Sequence, residues 1–92
     1  MTPDLAEEIA LQALGWLAAS DDLMPVFLGA TGASIDDLRT GAGDPVFLGA
    51  VLDFVTMDDA WVIAFCDHAG HAYERPAQAR AALAGPAAMH WT

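Results

Sequence analysis

An all-α fold, a compact bundle of five to six short helices that cross orthogonally instead of running long and parallel, follows from three features of the sequence. Residues that start helices recur along the chain at Thr2-Pro3, Ser20, Ser34, Asp44-Pro45 and Thr56, and residues that stop them at Gly32, Gly70 and Gly85. Between these marks the apolar residues recur at helical spacing; Val62-Ile63, the nearest approach to a β-branched run, lies inside a helical period. Alanine, the strongest helix former, supplies 20 of the 92 residues. Several of the helices have only two or three turns, which favours crossed packing over a long four-helix bundle.

The first helix is expected over Pro3 to Ala19, capped by Thr2, with proline where its missing N–H costs nothing. Leu5, Ile9, Ala13, Trp16 and Leu17 make its apolar face, and Asp4, Glu8 and Gln12 line the other. Ser20 caps a second helix over Asp21 to Ala30, where Pro25 fits only near the first turn. Ser34 caps a short third helix, Ile35 to Thr40. Gly41-Ala42-Gly43 is flexible by composition and forms the clearest internal break. Asp44-Pro45 opens a fourth helix that runs to about Val55 and is apolar almost all round, with Asp53 on the same stripe as Gly49 and Ala50. Such a helix belongs at the centre of a core. Thr56 with Asp59 resembles a capping box for a fifth helix, Met57 to Ala69. Glu74-Arg75-Pro76 leads into a sixth that ends at Leu83-Ala84-Gly85. Residues 1–85 thus read as one helical domain, and 86–92 as an irregular tail.

Composition limits what the chain can do. At 9.6 kDa the unfolded chain exposes about 13,900 Å² and the folded one about 5,100 Å², so roughly 63% is buried, enough for one modest core. Hydrophobic residues make up 55%, but alanine accounts for 20 of these 51, and the mean hydropathy of +0.37 is partly an alanine effect. The longest stretch without a charge, Leu23 to Ile35, has 13 residues and contains Pro25, Gly29 and Gly32, well short of the roughly 18 a membrane span needs. With 13 Asp+Glu against 3 Lys+Arg, the net charge of −10 argues against direct nucleic-acid binding and against anionic membrane surfaces. Early acids where a secretory leader would be basic, and a single cysteine, point to the cytoplasm. Lysine and asparagine are absent and serine occurs only at 20 and 34, so phosphate loops, Schiff-base chemistry and the serine elbow are missing. Neither an enzyme nor a cofactor is expected.

Several constellations remain. Asp21-Asp22, Asp36-Asp37 and Asp58-Asp59 each fall at an expected helix start, where carboxylates offset the helix dipole by roughly 0.3–1 kcal/mol each. A divalent-cation or basic-partner surface would require pairs from different helices to converge. Cys66, His68 and His71 are metal-ligand types, but Cys66 and His68, two apart on a helix, point to different faces, and structural zinc takes four ligands. Thr31-Gly32-Ala33-Ser34 looks like the turn of a helix-turn-helix, yet the second helix would present Asp36 and Asp37 to phosphates. The hexapeptide Pro-Val-Phe-Leu-Gly-Ala occurs at 25–30 and again at 45–50. Little similarity flanks the two copies, so they read as one local solution used twice. Trp16, Trp61, Phe27, Phe47, Phe54 and Phe65 read as core anchors. Trp91, in the tail, would fold back, dock on a second copy, or stay loose.

Ala6-Glu7, Ile9-Ala10-Leu11, Trp16-Leu17, Phe27-Leu28, Thr31-Gly32, Leu38-Arg39, Asp44-Pro45, Phe47-Leu48 and Val51-Leu52-Asp53-Phe54, closed by Pro76, Ala79-Arg80, Leu83 and Gly85, form a pattern covering nearly the whole chain. It resembles a small alphaproteobacterial family of uncharacterised proteins, a domain of unknown function. The resemblance implies a stand-alone helical domain; it carries over no catalytic residue, and Cys66, His68 and His71 lie outside its pattern. Two classes of function stay open at this point. One is a protein–protein interaction or adaptor module, with an unidentified protein partner or as a homodimer, using the three aspartate pairs or Trp91. The other is a small-molecule or metal-binding domain using the paired aspartates or the Cys66/His68/His71 segment.

Overall fold

The computed structural model describes residues 1–84, which are 76% helical and contain no strand. Six helices follow in order: α1 (Pro3–Ala18), α2 (Leu23–Thr31), α3 (Ile35–Gly41), α4 (Pro45–Val55), α5 (Asp59–Ala69) and α6 (Arg75–Ala84). The tail 86–92, and with it Trp91 and His90, lies outside the described residues, as does the expected stop at Gly85.

Most boundaries are set by the caps that the sequence advertises. The Thr2 hydroxyl accepts from the Leu5 N–H at 3.2 Å, and Pro3 is the first residue of α1. At α3 a reciprocal box forms, in which Ser34 Oγ accepts from the Asp37 N–H and Asp37 Oδ2 accepts from the Ser34 N–H at 2.9 Å. Asp44 Oδ1 accepts from the Val46 N–H at 3.0 Å to open α4. Gly32 and Gly70, at φ of 72° and 77°, close α2 and α5 in the left-handed region that side chains avoid.

Two starts fall later than the sequence suggests. Helix α2 begins at Leu23, not Asp21: Ser20 Oγ accepts from the Leu23 N–H at 3.1 Å, and the Asp22 side chain makes no capping bond. Helix α5 begins at Asp59, not Met57. The Thr56 hydroxyl donates back to the Leu52 carbonyl at 2.8 Å and so finishes α4, leaving Asp58 to accept from the Ala60 N–H at 2.8 Å.

Helices α1, α4 and α6 pack on one another most extensively, with α2 and α5 against α1 and α3 against α4. Ile9, Ala13 and Leu17 of α1, Leu48, Val51, Leu52 and Val55 of α4, and Ala79 of α6 are buried together. Each fully buried Leu, Ile or Val contributes about 1.5–3 kcal/mol relative to exposure. Aromatic rings tie on the outer helices. Phe27 of α2 meets both Phe47 and Phe54 of α4 edge-on, at centroid distances of 6.1 and 5.3 Å. Phe54 stacks on Trp61 of α5 at 4.7 Å, and Trp16 of α1 packs on Phe65 at 5.8 Å. The break at Gly41 is a packing feature more than a flexible one. Gly41 is buried as the last residue of α3, and a Cβ there would fall into the ring of Phe47.

Candidate functional site

Helix α4 is central, as its composition predicts, but one edge of it is open. Val46 is 81% exposed, Gly49 and Ala50 are half-buried, and Asp53 is exposed, so positions 46, 49, 50 and 53 trace one outward stripe. Grooves run along both sides of that stripe. The first, about 610 Å³, lies between α4 and α6 and brings Val46, Gly49 and Ala50 opposite Ala77, Ala81 and Leu83. Across it the Arg80 guanidinium pairs with the Asp53 carboxylate, both side chains more than half exposed. A pair this exposed is worth about 0–1 kcal/mol and neutralises the groove locally.

The second groove, about 470 Å³, lies where the end of α2 and α3 meet the start of α4. Val46, Phe47 and Ala50 give it an apolar wall, Gly32, Ala33 and Gly41 leave it room, and Asp37 and Asp44 stand at its rim. Each of these carboxylates accepts one N–H of its own helix start. Among the described residues the only ion pair is Arg80–Asp53, so neither has a cation partner there. A third, almost wholly apolar groove of about 400 Å³ lies between α1 and α3, over Leu11, Leu14, Ile35 and Leu38.

The residues singled out from sequence are dispersed. Asp21, Asp22, Asp36, Asp37, Asp58 and Asp59 are all exposed at or beside helix starts, and of the six only Asp37 lines a groove. Cys66 is buried, its thiol donating to the Ala72 carbonyl at 3.5 Å. Burial, then the charges of Asp67 and Glu74, push that thiol above its ordinary range, which disfavours the reactive thiolate. His68 is exposed in the last turn of α5. His71 instead reaches across to the Gln12 side chain of α1 and packs on the Phe65 ring. Tyr73 donates to Asp67 at 2.8 Å, a bond to the carboxylate that raises the phenol above its usual range. No group of three or more His, Cys, Asp or Glu side chains among the described residues is placed to hold a metal ion.

A family model described as a protein of unknown function, DUF3572, matches residues 3–86. The chain belongs to that family. The DUF3572 match takes in all six helices and both grooves beside α4. No curated protein and no solved structure matches the chain. Asp53 and Arg80, both in the pattern by which the sequence resembles such a family, prove to be partners across α4 and α6. Sequence reasoning passed over the groove residues Val46, Gly49, Ala50 and Asp44 as a site. The signal was the stripe of small and polar residues on an otherwise apolar helix, which marks its uncovered side.

Proposed function

We propose that this DUF3572 protein is a protein–protein interaction module of the alphaproteobacterial cytoplasm, an adaptor that seats a basic segment of another protein in the α3–α4 groove. One observation carries this reading: an apolar wall of Val46, Phe47 and Ala50 stands beside two carboxylates, Asp37 and Asp44, that no cation neutralises among the described residues. The segment it suits bears an apolar anchor flanked by arginine or lysine. Eleven further carboxylates accompany Asp37 and Asp44 in a chain of net charge −10, and such a field steers a basic partner and repels an acidic one. Binding in preference to catalysis is supported by the inventory, which lacks lysine and has only two serines, and by a cysteine that is buried with its thiol raised. That single buried thiol also suits a reducing compartment.

The experiment is quantitative capture from the native lysate on the wild-type chain and on the Asp37→Asn/Asp44→Asn double variant. Asparagine caps helices about as well as aspartate, so the variant keeps its fold and loses two charges. A protein with a Lys/Arg-bearing segment, retained by wild type and about tenfold less by the variant (a change of about 1.4 kcal/mol), is the expected result. No enriched protein, or one retained equally by both, would overturn the reading.

A further inference from the structure

The α1–α3 groove differs from the two beside α4 in chemistry. Leu11, Leu14, Gly15 and Ala18 of α1 and Ile35 and Leu38 of α3 line its roughly 400 Å³, and none of them has a polar side chain. Leu11 is 44% and Ile35 55% exposed, so large apolar side chains from two helices stand open at the surface. The groove shares no residue with the α3–α4 groove: Ile35, Leu38 and Arg39 lie on one side of α3, and Asp37, Thr40 and Gly41 on the other. One charged group lines it. Arg39 is exposed in the last turn of α3, where the helix dipole favours a cation. Its guanidinium has no ion-pair partner among the described residues. Of the acids on its own helix, Asp37 accepts the Ser34 N–H, and Asp36 makes no ion pair with it. An open guanidinium offers forked donors that match a carboxylate.

We propose that the α1–α3 groove binds a medium-chain carboxylic acid, its acyl chain laid over Leu11, Leu14, Ile35 and Leu38 and its carboxylate on Arg39. Size fits. Leu11 to Ala18 covers about 11 Å of helix, the length of a medium acyl chain. The volume of about 400 Å³ lies within the roughly 300–1,000 Å³ of clefts that take organic molecules. Gly15 leaves room along α1, since a Cβ there would meet nothing within 4 Å. Other occupants fit less well. An extended peptide brings backbone N–H and C=O groups, and besides Arg39 no polar side chain lines the groove to receive them. A second copy brings another −10 against this one. A cationic amphiphile would set like charge against Arg39, and an acid meets none of these obstacles. The site stands independently of the partner reading, which concerns the opposite side of α3.

The test is nuclear magnetic resonance titration of the full chain with decanoate below its micellar concentration, beside 1-decanol and butyrate. Decanoate is expected to shift the signals of Leu11, Gly15, Ile35 and Leu38 saturably, while those of Val46 and Ala81 in the other grooves stay in place. Butyrate, with the same head and little chain, should bind at least about tenfold more weakly. Arg39→Gln, a change at an exposed side chain, should weaken decanoate about fivefold, the scale of an exposed ion pair, and leave decanol unchanged. Leu11→Gln, also at an exposed position, should weaken both. No saturable shift, equal shifts in all three grooves, or undiminished decanoate binding by Arg39→Gln would overturn the proposal. So would Leu11 and Ile35 signals that move with protein concentration before any decanoate is added, because the occupant is then a second copy. Loss of partner capture in the Asp37→Asn/Asp44→Asn variant with decanoate binding intact would separate the two readings.

Discussion

The sequence Pro-Val-Phe-Leu-Gly-Ala is used twice, and its two copies end in different surroundings. At 25–30 it lies in α2 with the proline in the third position; at 45–50 it opens α4 with the proline in the first. In both copies the valine turns outward, Val26 at 47% and Val46 at 81% exposure, and the phenylalanine turns inward. The two phenylalanines even meet, edge to face. Beyond that they diverge. Phe27 is fully buried and Phe47 half-buried, whereas Leu48 is buried and Leu28 only partly so. Periodicity decides which residues face inward, but neighbours decide how deep they go. Helix α4 lies between α1 and α6, and α2 borders mainly α1. Identical hexapeptides therefore yield one peripheral helix and one central helix with an open edge, and the candidate site is on the second.

Substitutions at matched positions sharpen this contrast, beginning with the largest effect. Phe27→Ala empties a fully enclosed site between α2 and α4 and should cost about 3–5 kcal/mol in denaturant unfolding. Phe47→Ala, at the half-buried copy, should cost clearly less, about 1–3 kcal/mol. Equal losses would mean that burial depth does not separate the copies. Next comes Gly41→Ala, which drives a Cβ into the Phe47 ring and should cost about 1–3 kcal/mol. Combined with Phe47→Ala the same change should cost much less, since the obstructing ring is gone; strict additivity would contradict the contact. The smallest effect concerns the caps. Asp44→Ala removes a side-chain bond to the Val46 N–H and should lower stability by about 1 kcal/mol. Asp22→Ala removes none and should stay within about 0.5 kcal/mol in the same thermal melts.

Much of the fold was legible because helix ends are written locally. Thr2, Ser34, Asp44, Gly32 and Gly70 each act within a few residues of where they stand, and each does what its type predicts. The two displaced starts arose where neighbouring residues competed for one role. Ser20 outbids Asp22 at α2, and Thr56 turns back to Leu52, leaving α5 to Asp58. The grooves were not legible in the same way. A groove is made by the distance between helices, and nothing local states that α3 and α6 flank α4 while leaving Val46 uncovered. The aspartate pairs illustrate the limit: sequence placed them at helix starts, and only packing could show that Asp37 alone of the six meets a groove. His71 is similar, because its contact with Gln12 joins segments far apart in the chain.

The twin valines allow the central claim, that the outward edge of α4 is where a partner docks, to be tested with an internal control. Val26→Gln and Val46→Gln place the same uncharged polar side chain at the same hexapeptide position, and both residues are exposed enough for the fold to tolerate it. Partner capture from the native lysate should fall about tenfold with Val46→Gln, roughly 1.4 kcal/mol of binding, and stay at the wild-type level with Val26→Gln. Equal retention by both variants, or a loss confined to Val26→Gln, would contradict the claim.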